Sequence, residues 1–346
     1  MRCLVQPLTQ GMLESGTPHV NDFSNDRYRD LFGQDGSDIE ADRHVNAFQA
    51  FSRDSLALEL IGNGANLSFA SDHSDVAGVR LHRPPQHVLI FLVTPRNDNH
   101  VCIVVGHDLV KSLLEAGLPP KQILVWDRRL SDLRLAGYFD LAERFGVRVA
   151  GSAEAGYDEK TFYETALLGQ LVWGDLEFGR KGEGVGRKSF VSRLVTGQMT
   201  KIINITPLLN HNLVGVSGNL WGLALGSVDN TLRFETDADR LATAVPEIVA
   251  LPQLGDRVVL NIVDALICQY QGEERGMLHY STPLNQLWFS TDPVALDVLA
   301  IQELDSQRRA ARVLAPKTSL ELYQNASLLE IGISDPRRID VRRLPE

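Results

Sequence analysis

Cysteine is scarce in this chain: Cys3, Cys102 and Cys268 are the three present in 346 residues. They stand far apart, so there is no CxxC pair, no metal-knuckle spacing and no disulfide framework. Buried structural thiols in a reducing compartment are the expectation. Long apolar runs are missing too. No stretch of about 18 apolar residues occurs, so no membrane span is expected. The start, MRCLVQPLTQGMLESG, lacks the basic segment and long apolar core of a signal peptide, and a cytoplasmic location is expected. Positive charge is in deficit: Lys+Arg number 34 against 44 Asp+Glu, a net charge of −10. A general nucleic-acid binder needs a basic face for the phosphates, so nucleic acid is not an expected partner. A complete phosphate loop is also absent. GEGVGRKS at 182–189 approaches GxxxxGK[ST], but Arg187 separates Gly186 from Lys188, so the lysine does not follow the last glycine toward a phosphate. A basic loop over an anionic ligand is the weaker version of that idea.

What is present reads as an α/β fold. Hydrophobic residues make up 44% and charged residues 23%, the balance of a globular protein with a sizeable core. The spacing predicts a helix over 42–60, ended by Gly62, Asn63 and Gly64. HVLIFLV (87–93), ILVWD (123–127), VRVAG (147–151), KIINITP (201–207) and RVVLNIVDAL (257–266) read as buried strands. VCIVVGHDLVKSLLEAG (101–117) reads as a short strand, a turn at Gly106–His107, then a helix with Gly117 beyond its end. QLWFSTDPVALDVLAIQEL predicts a strand and a helix, with Asp292 as N-cap and Pro293 in the first turn. The stretch ETALLGQLVW is open to helix or strand. A helix is expected over 319–328. Strands alternating with helices imply mainly parallel sheets with flanking helices. Residues 1–85 read as an N-terminal extension and 86–346 as the α/β domain, an arrangement that allows two halves meeting near 151–200 around a cleft.

Open α/β sheets bind ligands beyond the carboxyl ends of their strands, and polar residues recur after these predicted strands. His107 and Asp108 follow VCIVV, Asp127 and Arg128 follow ILVW, and Asn210, His211 and Asn212 follow KIINITP. His211 suits an acid/base, a ligand donor or a metal ligand. Asp264 closes an apolar run, and a carboxylate there needs a cation or several N–H groups. His211, Asp264 and Asp292 together are the candidate ligands for a divalent metal. Asp297, one turn into its helix, reads as solvated. Gly222, Ala224 and Gly226 permit close backbone approach. Asp229, Asn230 and Arg233 offer ligand-binding groups, or a turn.

INITPLLNHNLVGVSGNLWGLALGSVDNTLRF, followed by LNIVDAL and STDPVALDVLA, resembles the DUF362 family, whose members are uncharacterised and in some cases carry an iron–sulfur ferredoxin module. The likeness spans roughly residues 87–309. It implies an α/β fold, with His211, Asp264 and the Asp292–Asp297 segment on the family's motif positions. Members often carry Lys-Asn where this chain has Trp221–Gly222, and a lysine where Asn210 stands. No CxxCxxCxxxCP run is present, so no iron–sulfur cluster is expected, and no twin-arginine signal is seen. The functional expectation is an enzyme binding a small polar or anionic ligand at strand-end loops, with a divalent metal as one option. The alternative is a non-catalytic binding or accessory protein for a redox or biosynthetic partner. A homo-oligomer or scaffold is a third class.

Overall fold

The computed structural model describes residues 2–7, 67–69, 79–81, 88–92, 101–165, 186–272, 278–316 and 318–343. The helix expected over 42–60, residues 166–173 of the ambiguous apolar stretch and the first part of the 182–189 loop lie outside the described residues.

The chain opens with strand β1 (Arg2–Pro7), followed by the short pair β2 (Leu67–Phe69) and β3 (Val79–Leu81). An α/β succession comes next: β4 (Val88–Leu92), helix α1 (Val101–Glu115), β5 (Ile123–Asp127), α2 (Leu130–Leu135), α3 (Phe139–Phe145), β6 (Arg148–Gly151) and the one-turn α4 (Ser152–Ala155). The hairpin β7 (Tyr157–Glu164) and β8 (Lys188–Ser192) leads through α5 (Arg193–Gln198) to β9 (Lys201–His211) and β10 (Gly215–Val216). Helices α6 (Asn219–Ser227) and α7 (Ala238–Val249), strands β11 (Val258–Gln269) and β12 (Ser281–Ser290), helices α8 (Pro293–Ala310) and α9 (Glu321–Leu328), and β13 (Asp340–Arg343) complete it.

One mixed sheet organises these elements among the described residues, in the order β13-β1-β12-β11-β9-β4-β5-β6, with β10 laid against β9. The block β11-β9-β4-β5-β6 is parallel, as expected for apolar strands covered on both faces. Strand β12 runs antiparallel to β11, and β1 antiparallel to β12. Cys3, Leu4 and Val5 are buried in β1, so the first residues of the chain are part of this sheet. Alternation along the strands divides the core. Ile202, Val263 and Trp288 pack on the side covered by α6 to α9. Ile203, Ile205, Leu260 and Ile262 pack with Leu109, Leu133 and Leu141 on the side of α1 to α3.

One element corrects the sequence reading. VCIVVG is not a strand and turn but the first part of the continuous helix α1. A short β-branched apolar run cannot by periodicity be told from a buried helix segment. Gly106 is the point of contact with Tyr138: a Cβ there would lie 2.9 Å from the Tyr138 ring. The start of α8 follows expectation, with the Asp292 side chain accepting from the Ala295 N–H at 2.8 Å and Pro293 in the first turn. Among the described residues no helix is long and apolar enough to cross a membrane.

Candidate functional site

Strand β9 continues past Pro207 to His211, so Asn210 and His211 lie on the strand and Asn212 in the turn after it. The β9–β11 ladder is interrupted where Asp264 pairs with Pro207, because the next pair is Cys268 with Leu208. Proline has no N–H to give the ladder, and the extra β11 residues loop out as a bulge. Asp264 therefore sits within β11, not at its end. It is buried, and its Oδ1 accepts from the Leu266 N–H at 3.1 Å. Alternation puts it on the α1 side with Leu260 and Ile262. Its strand partner Pro207 precedes His211 by four residues, up to about 13 Å of extended chain.

His211 is 8% exposed and packs against Trp221 of α6, with ring centroids 5.1 Å apart. Its Nδ1 faces two backbone donors, Leu213 N–H at 3.2 Å and Val214 N–H at 3.4 Å. A ring nitrogen that accepts carries no proton, so this bonding assigns the neutral Nε2–H tautomer. Asn210 donates through Nδ2 to Asn212 Oδ1 at 3.2 Å.

Beneath the start of α6 lies a buried network that sequence reasoning missed. Asn204 on β9 and Asn261 on β11 are ladder partners, and Asn204 Nδ2 donates to Asn261 Oδ1 and to the Asn219 carbonyl, both at 3.1 Å. Asn219 then donates to Asp297 Oδ1 through its N–H at 2.7 Å and its Nδ2 at 2.9 Å, while the Leu220 N–H reaches Oδ2 at 3.0 Å. Asp297 is not solvated as expected: α8 packs across α6 and buries it to 1% exposure. Burial pushes its carboxyl up to about 7, against the lowering effect of the α6 N–H bonds, and the Asp292 carboxylate raises it further. A Cβ at Gly218 would lie 2.3 Å from Asp297 Oδ1, so the glycine admits the carboxylate. Asp292 is also buried, accepts from Ala295 and from the Ile333 N–H at 2.9 Å, and is raised chiefly by burial. The available signal was an asparagine at the middle of each apolar strand, in NIT and NIVD.

Around this network, three buried donors find no hydrogen-bond partner among the described residues: Thr206 Oγ1, Ser217 Oγ and Trp221 Nε1. Thr206 shares the Asn204 face of β9. Ser217 follows β10, anchored by its N–H to the Leu209 carbonyl at 2.9 Å. Trp221 lies against His211.

The remaining candidates are placed elsewhere. Asp229, Asn230 and Arg233 clamp the β7–β8 hairpin. Asp229 Oδ1 accepts from Phe190 N–H at 2.6 Å, Asn230 Nδ2 donates to the Lys188 carbonyl at 2.9 Å, and Arg233 Nε donates to Ser189 Oγ at 2.9 Å. Asn230 adopts a left-handed turn conformation, φ 51°. Asp127 accepts from the N–H of Arg128, whose guanidinium reaches Thr231 Oγ1 at 2.9 Å and Glu235 at 3.7 Å. His107 lies inside α1 rather than at a helix start, 3.1 Å from an Arg144 guanidinium nitrogen. The Asp108 side chain is outside the described residues. Among the described residues no group of three or more His, Cys, Asp and Glu side chains forms a metal-binding set. His211, Asp264 and Asp292 are accordingly not assembled around one cation.

No family model matches the chain, and no curated protein matches it. Its structure is similar to the crystal structure of a protein from Thermotoga maritima, with a TM-score of 0.37 and 12% sequence identity. The match covers 67% of this chain and spans 55% of that protein's length.

Proposed function

We propose that this protein binds a small polar molecule beside His211, between the carboxyl-terminal half of β9 and the start of α6. One observation carries this reading: Trp221 Nε1, Ser217 Oγ and Thr206 Oγ1 are buried donors with no hydrogen-bond partner among the described residues. Leaving such a group unsatisfied costs about 1–3 kcal/mol, so a set of them around this network, with the Trp221 indole against His211, marks a place where a ligand supplies the acceptors. In this reading His211 works as an Nε2–H donor. Taking up a proton or a metal at Nδ1 would break two backbone hydrogen bonds, which favours a neutral hydrogen-bond donor over a proton-transferring acid, a base or a metal ligand. An enzyme built on this site uses His211 to donate toward a ligand oxygen, and the Asn204–Asn219–Asp297 network to hold α6 in place. The resemblance of the same segment to the DUF362 family agrees with a site here, and family membership remains part of the proposal.

Saturation-transfer difference NMR with a panel of small polar compounds tests the reading. Compounds that bind the wild type are expected to lose their signal in Trp221→Phe. Compounds that bind both proteins equally would place the ligand elsewhere.

A further inference from the structure

A helix N-terminus, with its free N–H groups and positive dipole end, is the usual cradle for a ligand anion. Here the first N–H groups of α6 are taken from within the protein, by Asp297 at 2.7 and 3.0 Å. The start of α8 is taken in the same way by Asp292 at 2.8 Å. These two carboxyls are buried and close enough for Asp292 to bear on Asp297. The unpartnered donors around the network are all uncharged: the indole N–H of Trp221, which packs on His211, and the hydroxyls of Ser217 and Thr206.

That combination discriminates by charge. A carboxylate or phosphate entering here would lose its hydration, find no helix N-terminus to replace it, and stand near buried acidic groups. A carbonyl or amide oxygen accepts the same hydrogen bonds and carries no net charge to desolvate. The indole N–H of Trp221 suits it, since it donates and never accepts. Resting on the reading that a ligand binds at this site, we propose that the site selects an uncharged carbonyl or amide oxygen, held by Trp221 Nε1–H, and that Asp297 excludes anionic ligands by occupying the N-terminus of α6.

The test is a titration of protein labelled with nitrogen-15 at tryptophan, using acetamide, acetate and inorganic phosphate as probes at neutral pH. The Trp221 indole resonance is identified by its loss in Trp221→Phe. It is expected to move saturably with acetamide, with acetate and phosphate binding at least about tenfold more weakly. Asp297→Asn is expected to narrow that gap for acetate. If that variant does not fold, the wild-type titration still decides. Acetate or phosphate saturating the Trp221 signal as readily as acetamide would overturn the charge selection while leaving ligand binding at His211 standing. No response at Trp221 to any of the three would overturn both.

Discussion

Two polar regions of this molecule look alike in sequence and differ in their hydrogen bonding. The hairpin clamp gathers Asp229, Asn230, Arg233, Arg128 and Glu235, whose hydrogen bonds and ion pair satisfy backbone and side-chain groups across the join. The region under α6 gathers Asn204, Asn219, Asn261 and Asp297, yet leaves Trp221, Ser217 and Thr206 with donors unanswered by the described residues. Polar density marks both. Pairing separates them: a satisfied set fixes one element to another, and an unsatisfied one has capacity for something that arrives.

The sharpest way to break this comparison is to remove the group that holds the second region together. Asp297→Ala strips three hydrogen bonds from the start of α6. Bonds to charged groups are each worth about 1.5–3 kcal/mol, so urea denaturation is expected to show a loss of about 3 kcal/mol or more. A loss below about 1 kcal/mol would contradict the anchoring role.

The pH dependence follows from the same residue. The Asp297 carboxyl is raised from 3.8 to about 7 in the folded protein. The folded state then binds its proton more tightly than the unfolded state. The resulting stabilisation is complete below about pH 4 and is lost as pH rises through about 7. Wild-type stability is therefore expected to fall from pH 4 to pH 8 relative to Asp297→Asn, by an amount on the order of a few kcal/mol. Asp292 is raised as well, so a smaller slope of the same sign remains in the variant. Parallel profiles for the two proteins would show that Asp297 does not titrate in this range.

In the clamp, Arg233→Met is expected to cost about 2 kcal/mol through the bonds to Ser189 and Tyr163, measured by thermal or urea unfolding. It should leave the Trp221 indole resonance and acetamide binding unchanged. An equal loss of binding would erase the distinction between the regions. The smallest stability effect belongs to Trp221→Phe, at about 1 kcal/mol or less, because the removed indole N–H has no partner to lose among the described residues. Its binding defect is expected to be the largest of the set.

Much of the parallel sheet was legible in the sequence. Strands β4, β5, β9 and β11 announce themselves as apolar runs, and Asp292–Pro293 marks a helix start by local chemistry alone. Helix α1 was not legible, because Cys102–Val105 has strand-like composition and so short an apolar run does not by periodicity separate helix from strand. The place of β1 depends on pairing with β12 across most of the chain. In the candidate site His211 was legible as a polar residue on a strand leading into a loop. Asp297 was not: helical position made it look solvated, and only the packing of α8 on α6 buries it. The Asn204–Asn261 contact required the register of two strands. Asp229, Asn230 and Arg233 were legible as polar and illegible as a clamp, since their partners lie on β7 and β8.

The most direct measurement is a crystal structure of the protein soaked in acetamide, read at Trp221 Nε1. The account predicts the amide oxygen within about 3 Å of Nε1, the normal donor–acceptor separation, with His211 alongside. A protein carbonyl or carboxylate occupying that position, with acetamide excluded, would contradict it.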